Sequence, residues 1–297
     1  MLFKINDIIK SAVNNVQNSR NKFDVEEWAE RKRADREYAY NTQDEMAKEI
    51  VKNGEMYKKY LDVQSKFPSY SVGNALLVLA QKPDATDLRD ADSWKKQKIN
   101  FKGTSDAVII LEPSNSYVRE DGTEVQGYDA KRVFDISDMR VPKKLNKLPY
   151  TNENLLTGIL SMSPVKVEAV HETSNTSKLV NFNVEKRIIE VSEKASVNEM
   201  LQGLVREITS IQLLTFNDAE LSKLKNESVA YMISKKYSIS TDNFNFDRIA
   251  SELGEKTPQD IKLELSGVAE CYQILTDGID RSLDIEPKAK NHKEHER

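Results

Sequence analysis

The stretch "LVREITSIQLL" (Leu204 to Leu214) decides how the second half of the chain is read. It has a glutamate, Glu207, on an amphipathic turn with apolar residues around it. A helix with the spacing H-E-x-x-H carries two ligands on one face, four residues apart, where both reach one ion. The glutamate beside the first ligand then serves as base for the metal-bound water. Here Arg206 stands in the first place and Ser210 in the last. Arginine is permanently cationic and has no lone pair to offer. Serine is a poor zinc ligand. A third ligand would come from the next helix, and Glu227 in "KNESVAYM" has a sensible reach for that role. Glu207 and Glu227 alone make a weak oxygen site, so no metal and no cofactor are expected. Arg206 is expected to replace the charge of a metal by pairing with these carboxylates. The alternative is that Glu207 is an ordinary glutamate on a helix surface.

The elements around this stretch suit such a core. Ser196 is an N-cap and Glu199 follows at the third helical position, a capping box that opens "SVNEMLQGLVREITSIQLL". Upstream, a helix is expected near 152 to 161. Two strands follow, "VKVEAV" and "RIIEVS", separated by a stretch that opens with polar "HETSNTSK". Downstream, "AELSKLKNESVAYMISKKY" and "PQDIKLELSGVAECYQILTDGIDRSL" read as helices.

The first half has a different texture. Residues 24 to 66 lack proline and contain one glycine, Gly54. Asp24 is a plausible N-cap, and Glu26 and Glu27 suit a first helical turn. The segment reads as one long helix or two, with a break at Gly54. "GNALLVLAQ" (Gly73 to Gln81) reads as a buried helix ended by Pro83. "DAVIILEP" and "KRVFDIS" read as strands, and Asp121-Gly122 marks a hairpin turn between alternating segments. "MRVPKKLNKLP" is basic, holds two prolines and reads as a linker.

The fold class is therefore α+β. The expected units are an N-terminal helix or arm (1–22), a helical domain with a small sheet (23–140), a linker (141–150), a mostly helical domain (151–284) and a disordered tail (285–297). The chain has 297 residues, of which 38% are hydrophobic and 31% charged, and its net charge is −4. It is not globally basic, so any anion site must be a local patch. The single cysteine, Cys271, excludes an internal disulfide and is expected to be a buried, inert thiol. The three histidines, His171, His292 and His295, leave little material for a metal site. No apolar run reaches the roughly 18 residues needed to cross a bilayer. The expectation is a soluble, cytoplasmic protein with no membrane partner.

Five blocks carry a family resemblance: "FDVEEWAERKRADREYAY" (23–40), "YLDVQSKFPSYSVGNALLVLAQKPDATDLRDADSW" (60–94), "AVIILEP" (107–113), "KRVFDIS" (131–137) and "NESVAYMISKKYSISTDNFNFDRI" (226–249). On these the chain resembles the ArdC-type antirestriction proteins, and more closely their LtrC-like relatives of plasmids and conjugative transposons. The resemblance implies an N-terminal domain that binds single-stranded DNA and a C-terminal domain with a zinc-metallopeptidase fold. It implies an HExxH motif plus a downstream glutamate, of which only Glu207 and Glu227 are present. The degenerate set Arg206, Glu207, Ser210 and Glu227 then implies a scaffold without peptidase activity. The rival readings are a zinc-dependent peptidase with an altered site, and a scaffold or inhibitor that binds a host or mobile-element protein.

Binding a single strand needs a cationic track and aromatic faces. Residues 89 to 102 carry a net charge of +3 and residues 131 to 147 a net charge of +4. The candidate contacts are Arg89, Trp94, Lys95, Lys96, Lys98, Phe101, Lys102, Lys131, Arg132, Arg140, Lys143 and Lys144. Tyr70, Tyr117 and Tyr128 are further stacking candidates. Against this stands the commoner role of such residues, with lysines on a solvated surface and Trp94 as a core anchor.

Overall fold

The computed structural model describes residues 25–119, 121–140, 150–215 and 222–285. The expected terminal arm, the linker apart from Tyr150 and the tail apart from Ile285 lie outside the described residues. So do Asp24, Lys143, Lys144, His292 and His295.

Helix α1 (Val25–Ile50) and helix α2 (Gly54–Lys66) are separate. The break falls where Asn53 turns extended and its side chain accepts the Met56 N–H at 2.9 Å, an N-cap that starts a new helix. Gly54 follows because its α-carbon lies against the backbone of Phe246. An added Cβ would sit 2.9 Å from the Phe246 carbonyl carbon. Helix α3 (Val72–Gln81) is capped by Ser71 and is buried along nearly its whole length. Gly73 meets the Gln43 side chain of α1 there, closer than any Cβ would allow.

The first sheet contains β1 (Leu88–Arg89), β2 (Val108–Pro113) and β5 (Tyr128–Asp135), in the antiparallel order β1-β5-β2. Helix α4 (Ala91–Lys96) follows β1. A small hairpin, β3 (Tyr117–Val118) with β4 (Glu124–Val125), turns at Gly122, whose φ of 82° suits glycine. Side chains from helices close much of the sheet's outer edges. On β2, Asn74 exchanges two hydrogen bonds with Leu111 (2.8 and 2.9 Å), and Gln81 exchanges two with Ile109 (both 2.9 Å). On β5, Lys32 donates to the Ala130 carbonyl at 2.7 Å and Arg36 to that of Tyr128 at 3.5 Å. Unpaired strand edges otherwise invite pairing with other chains, and these groups satisfy part of that demand.

In the second half, α5 (Asn152–Ser161) begins at the Thr151 cap. A second sheet follows, with β6 (Lys166–Val170), β7 (Val180–Asn183) and β8 (Ile188–Ser192) in the order β6-β8-β7. β6 runs parallel to β8, and β7 antiparallel. β7 is a third strand beyond the two expected. Every residue of central β8 is buried, including Glu190. That carboxylate accepts from the Ser174 N–H (2.6 Å), the Asn183 amide (2.8 Å) and Lys186 (3.5 Å). These bonds, led by the Ser174 N–H, hold its pKa down at about 2.

Among the described residues four more helices follow: α6 (Val197–Thr215), α7 (Ser222–Lys236), short α8 (Ile249–Leu253) and α9 (Pro258–Ser282). One continuous buried cluster runs from Ala47 to Ile279 and draws on helices of both halves. Tyr57 on α2 shares a 2.9 Å hydrogen bond with Ser228 on α7. The hydroxyl of Tyr231 donates to Asp62, and that of Tyr272 to the Ser65 carbonyl. The architecture is α+β. No helix among the described residues is long and apolar enough to cross a membrane.

Candidate functional site

Helix α6 starts with the expected capping box. Ser196 N–H donates to the Glu199 carboxylate at 2.9 Å, and Glu199 N–H to the Ser196 hydroxyl at 3.3 Å. This fixes the helix phase. Leu201, Leu204, Val205 and Ile208 enter the core, which leaves Arg206, Glu207 and Ser210 half-buried along its flank. Glu227 lies half-buried on α7 alongside.

Arg206 does pair with a carboxylate, but with one of the two. Its Nε lies 3.4 and 3.5 Å from the oxygens of Glu227. The guanidinium also lies over the Phe244 ring, 4.1 Å from its centre. Glu207 is held instead by Lys178, whose Nζ is 3.1 Å from Oε1. Lys178 comes from the loop before β7, and sequence reasoning missed it. The two acids are thus matched by two monovalent cations of the chain itself. This donor set does not suit a divalent metal: one of the three ligand positions is a guanidinium, one a hydroxyl, and the third is already in an ion pair. Among the described residues no three His, Cys, Asp or Glu side chains gather where an ion could sit.

Elsewhere, Cys271 is buried and burial pushes its thiol up to about 12, which suits an inert thiol. His171 is exposed at a bend after β6.

The candidate DNA contacts divide into three groups. Trp94 is only 1% exposed, and its indole N–H donates to the Phe134 carbonyl at 3.0 Å, so it is a core anchor with no face open to a base. Phe101 is half-buried, edge-on to Phe134 at 4.9 Å. Tyr70 is buried against Phe67. Three cations are spent on internal acids. Arg89 forks onto Asp87 (2.7 and 2.9 Å), Arg132 onto Asp35 (3.0 and 3.2 Å), and Lys131 bridges Asp90 and Glu112. Burial alone would pull the Lys131 ammonium down, but its two acids outweigh that and raise it.

The remaining five are Lys95, Lys96, Lys98, Lys102 and Arg140. All are exposed, and none has a carboxylate partner among the described residues. The fold brings them together. Lys95 and Lys96 end α4, and Lys98 follows with φ 59° in the turn that closes it. Phe101 bridges to Met139, Lys102 N–H donates to the Asp138 carbonyl, and Arg140 N–H to that of Asn100. Residues 100–102 and 138–140 are therefore laced side by side, with the Lys102 ammonium donating to the Ser137 carbonyl at 2.8 Å. Lys95, Lys96 and Lys98 lie just upstream on the same stretch of chain, the five forming one basic rim.

No protein-family profile matches the chain, and neither does any curated protein. Among solved structures, it is similar to the metal-free crystal structure of the antirestriction ArdC protein from the R388 plasmid, at a TM-score of 0.44 and 12% identity over 72% of this chain and 85% of that one. It is similar to the Mn(II)-bound structure of the same protein at a TM-score of 0.45 and 11% identity, over 73% and 86% of the two chains.

Proposed function

We propose that the chain is a single-stranded DNA-binding protein of a bacterial mobile element, serving antirestriction by protecting DNA during transfer. In this reading its C-terminal half is a metallopeptidase-like scaffold that holds but does not cut. The observation that carries the DNA reading is the rim of Lys95, Lys96, Lys98, Lys102 and Arg140, five exposed cations with no acidic partner among the described residues. Clustered cations without acidic partners attract phosphates and release the counterions condensed on DNA. The overall charge of −4 makes such a local concentration the more notable. The sequence blocks that resemble ArdC-type proteins support the same reading. The silence of the second half rests on donor chemistry: Arg206 and Lys178 neutralise the two acids that a catalytic metal would need.

Fluorescence anisotropy with a labelled oligonucleotide tests the binding. Binding is expected at low salt and should weaken as salt rises. Replacing Lys95, Lys96 and Lys98 together by Gln should flatten the salt dependence by a slope of about 2, at about 0.7 per phosphate contact. No binding at low salt ends the DNA reading. Metal analysis of the purified protein tests the second half, and stoichiometric, tightly held zinc would overturn it.

A further inference from the structure

The rim supplies charge, but its aromatic residues are withdrawn into the fold, as Trp94 and Phe101 show. Exposed rings gather at the other end of β5. Helix α1 crosses that strand in step, with Lys32 reaching the Ala130 carbonyl and Arg36, one turn on, that of Tyr128. The next turn brings Tyr40 to the base of the β3–β4 hairpin, where Ser114 N–H donates to the Gly127 carbonyl and Tyr117 stands opposite Val125. Tyr40, Tyr117 and Tyr128 are 42%, 53% and 39% exposed. Among the described residues none of the three packs against another aromatic ring. Burial raises the Tyr40 hydroxyl, Arg36 lowers it, and the nearby Tyr128, Tyr117 and Asp129 raise it further, as expected of groups crowded into one patch. Arg36 pairs with Asp129 at 3.5 Å and the Glu124 carboxylate accepts from Ser116, so both of these acids are engaged. Arg119 lies exposed two residues beyond Tyr117.

We propose that Tyr40, Tyr117 and Tyr128 form a stacking platform for unpaired bases of a DNA strand whose phosphates lie on the Lys95–Arg140 rim. The inference rests on the DNA-binding reading and divides the labour within it. Base stacking tolerates any sequence because every base has a flat face, and it is closed to bases already stacked inside a duplex. The rim attracts phosphates of either form. The tyrosines therefore supply the preference for single strands. β5 from Tyr128 to Asp135 is about 24 Å long at ~3.4 Å per residue, so one strand must span several nucleotides to touch both places.

The test compares a short oligonucleotide, a longer one and a duplex of the longer length, all at low salt. The wild-type protein is expected to favour the longer single strand over both others. The variant Y117A/Y128A changes two exposed side chains, and its melting temperature is expected to stay as in wild type. It should lose about fivefold or more of its affinity for the long single strand. Its affinity for the duplex should not change, and Y117F/Y128F should retain the preference. A folded Y117A/Y128A variant that still prefers single strands as wild type does overturns the platform while leaving DNA binding intact. A wild-type protein that binds no oligonucleotide at all sinks the DNA reading and the platform with it.

Discussion

Asn74 gives Leu111 both of the hydrogen bonds that an additional strand would have supplied. It is 8% exposed, so water cannot take its place. Asn74→Ala strands a buried N–H and a buried carbonyl on β2, and the expected cost is about 1–3 kcal/mol, read as a lower urea midpoint. An unchanged midpoint would mean that the edge is not held by the amide. Glu190 makes a second prediction at this scale, through pH. Its folded pKa of about 2 lies below the unfolded carboxylate value, so the ionised form favours the fold. The stabilisation is present in full above the unfolded pKa. It fades as pH falls from there toward 2. Glu190→Gln should therefore lower the denaturation midpoint at neutral pH and narrow the gap between wild type and variant in strong acid. A gap of constant size across that window would show that the carboxylate charge is not what binds the Ser174 loop. Both residues look unremarkable in the chain, because an amide or a carboxylate acquires such a role only when a particular strand lies beside it.

Among the elements, the join between α2 and the Phe246 backbone is the most restrictive. Alanine usually strengthens a helix over glycine by up to about 1 kcal/mol. At Gly54 the added carbon meets a main-chain carbonyl carbon at 2.9 Å, which cannot swing aside as a side-chain tip would. Gly54→Ala should thus destabilise, by about 1–3 kcal/mol as overpacking does, and a raised urea midpoint would contradict the close approach. The elements themselves were largely legible. Helices α3, α5, α6 and α9 follow from apolar periodicity and from caps such as Ser196 with Glu199. The hairpin follows from Asp121-Gly122. β7 was not legible, since only four residues, "VNFN", form it after a polar loop. Five-residue α8 was too short for any period to show. The site was legible in part for a similar reason. Arg206 and Glu227 sit at positions that a metal motif singles out, whereas Lys178 reaches Glu207 from a loop with no motif at all. The basic rim was readable as composition, but which of its cations are already paired depends on acids as distant in sequence as Asp35 from Arg132.

For the molecule as a whole, the chemistry of the two halves differs but their interior does not divide. Tyr57 reaches Ser228, Tyr231 reaches Asp62, Tyr272 reaches Ser65, and Lys262 pairs with Asp44 at 2.7 Å. Tyr57 and Tyr231 also both pack edge-on against Phe246, at 5.3 and 5.6 Å. A buried cluster of this continuity should melt in one transition, because exposing either half's share of it strips apolar cover from the other. The chain offers a direct probe. Its two tryptophans, Trp28 and Trp94, lie in the first half, and only Trp94 is buried, so fluorescence reports that half alone. Far-UV circular dichroism reports helices throughout. The two signals should share one denaturant midpoint. Ile279, 2% exposed on α9 in the second half, then serves as the lever. Ile279→Ala removes core volume there at a cost of about 2–5 kcal/mol. If the interior is one cooperative unit, the tryptophan midpoint falls together with the dichroism midpoint, although no tryptophan lies in the half that was altered. A fluorescence transition that stays in place while the dichroism transition moves would mean that the first half folds independently, and that the rim and the tyrosines rest on a domain able to stand without the second half.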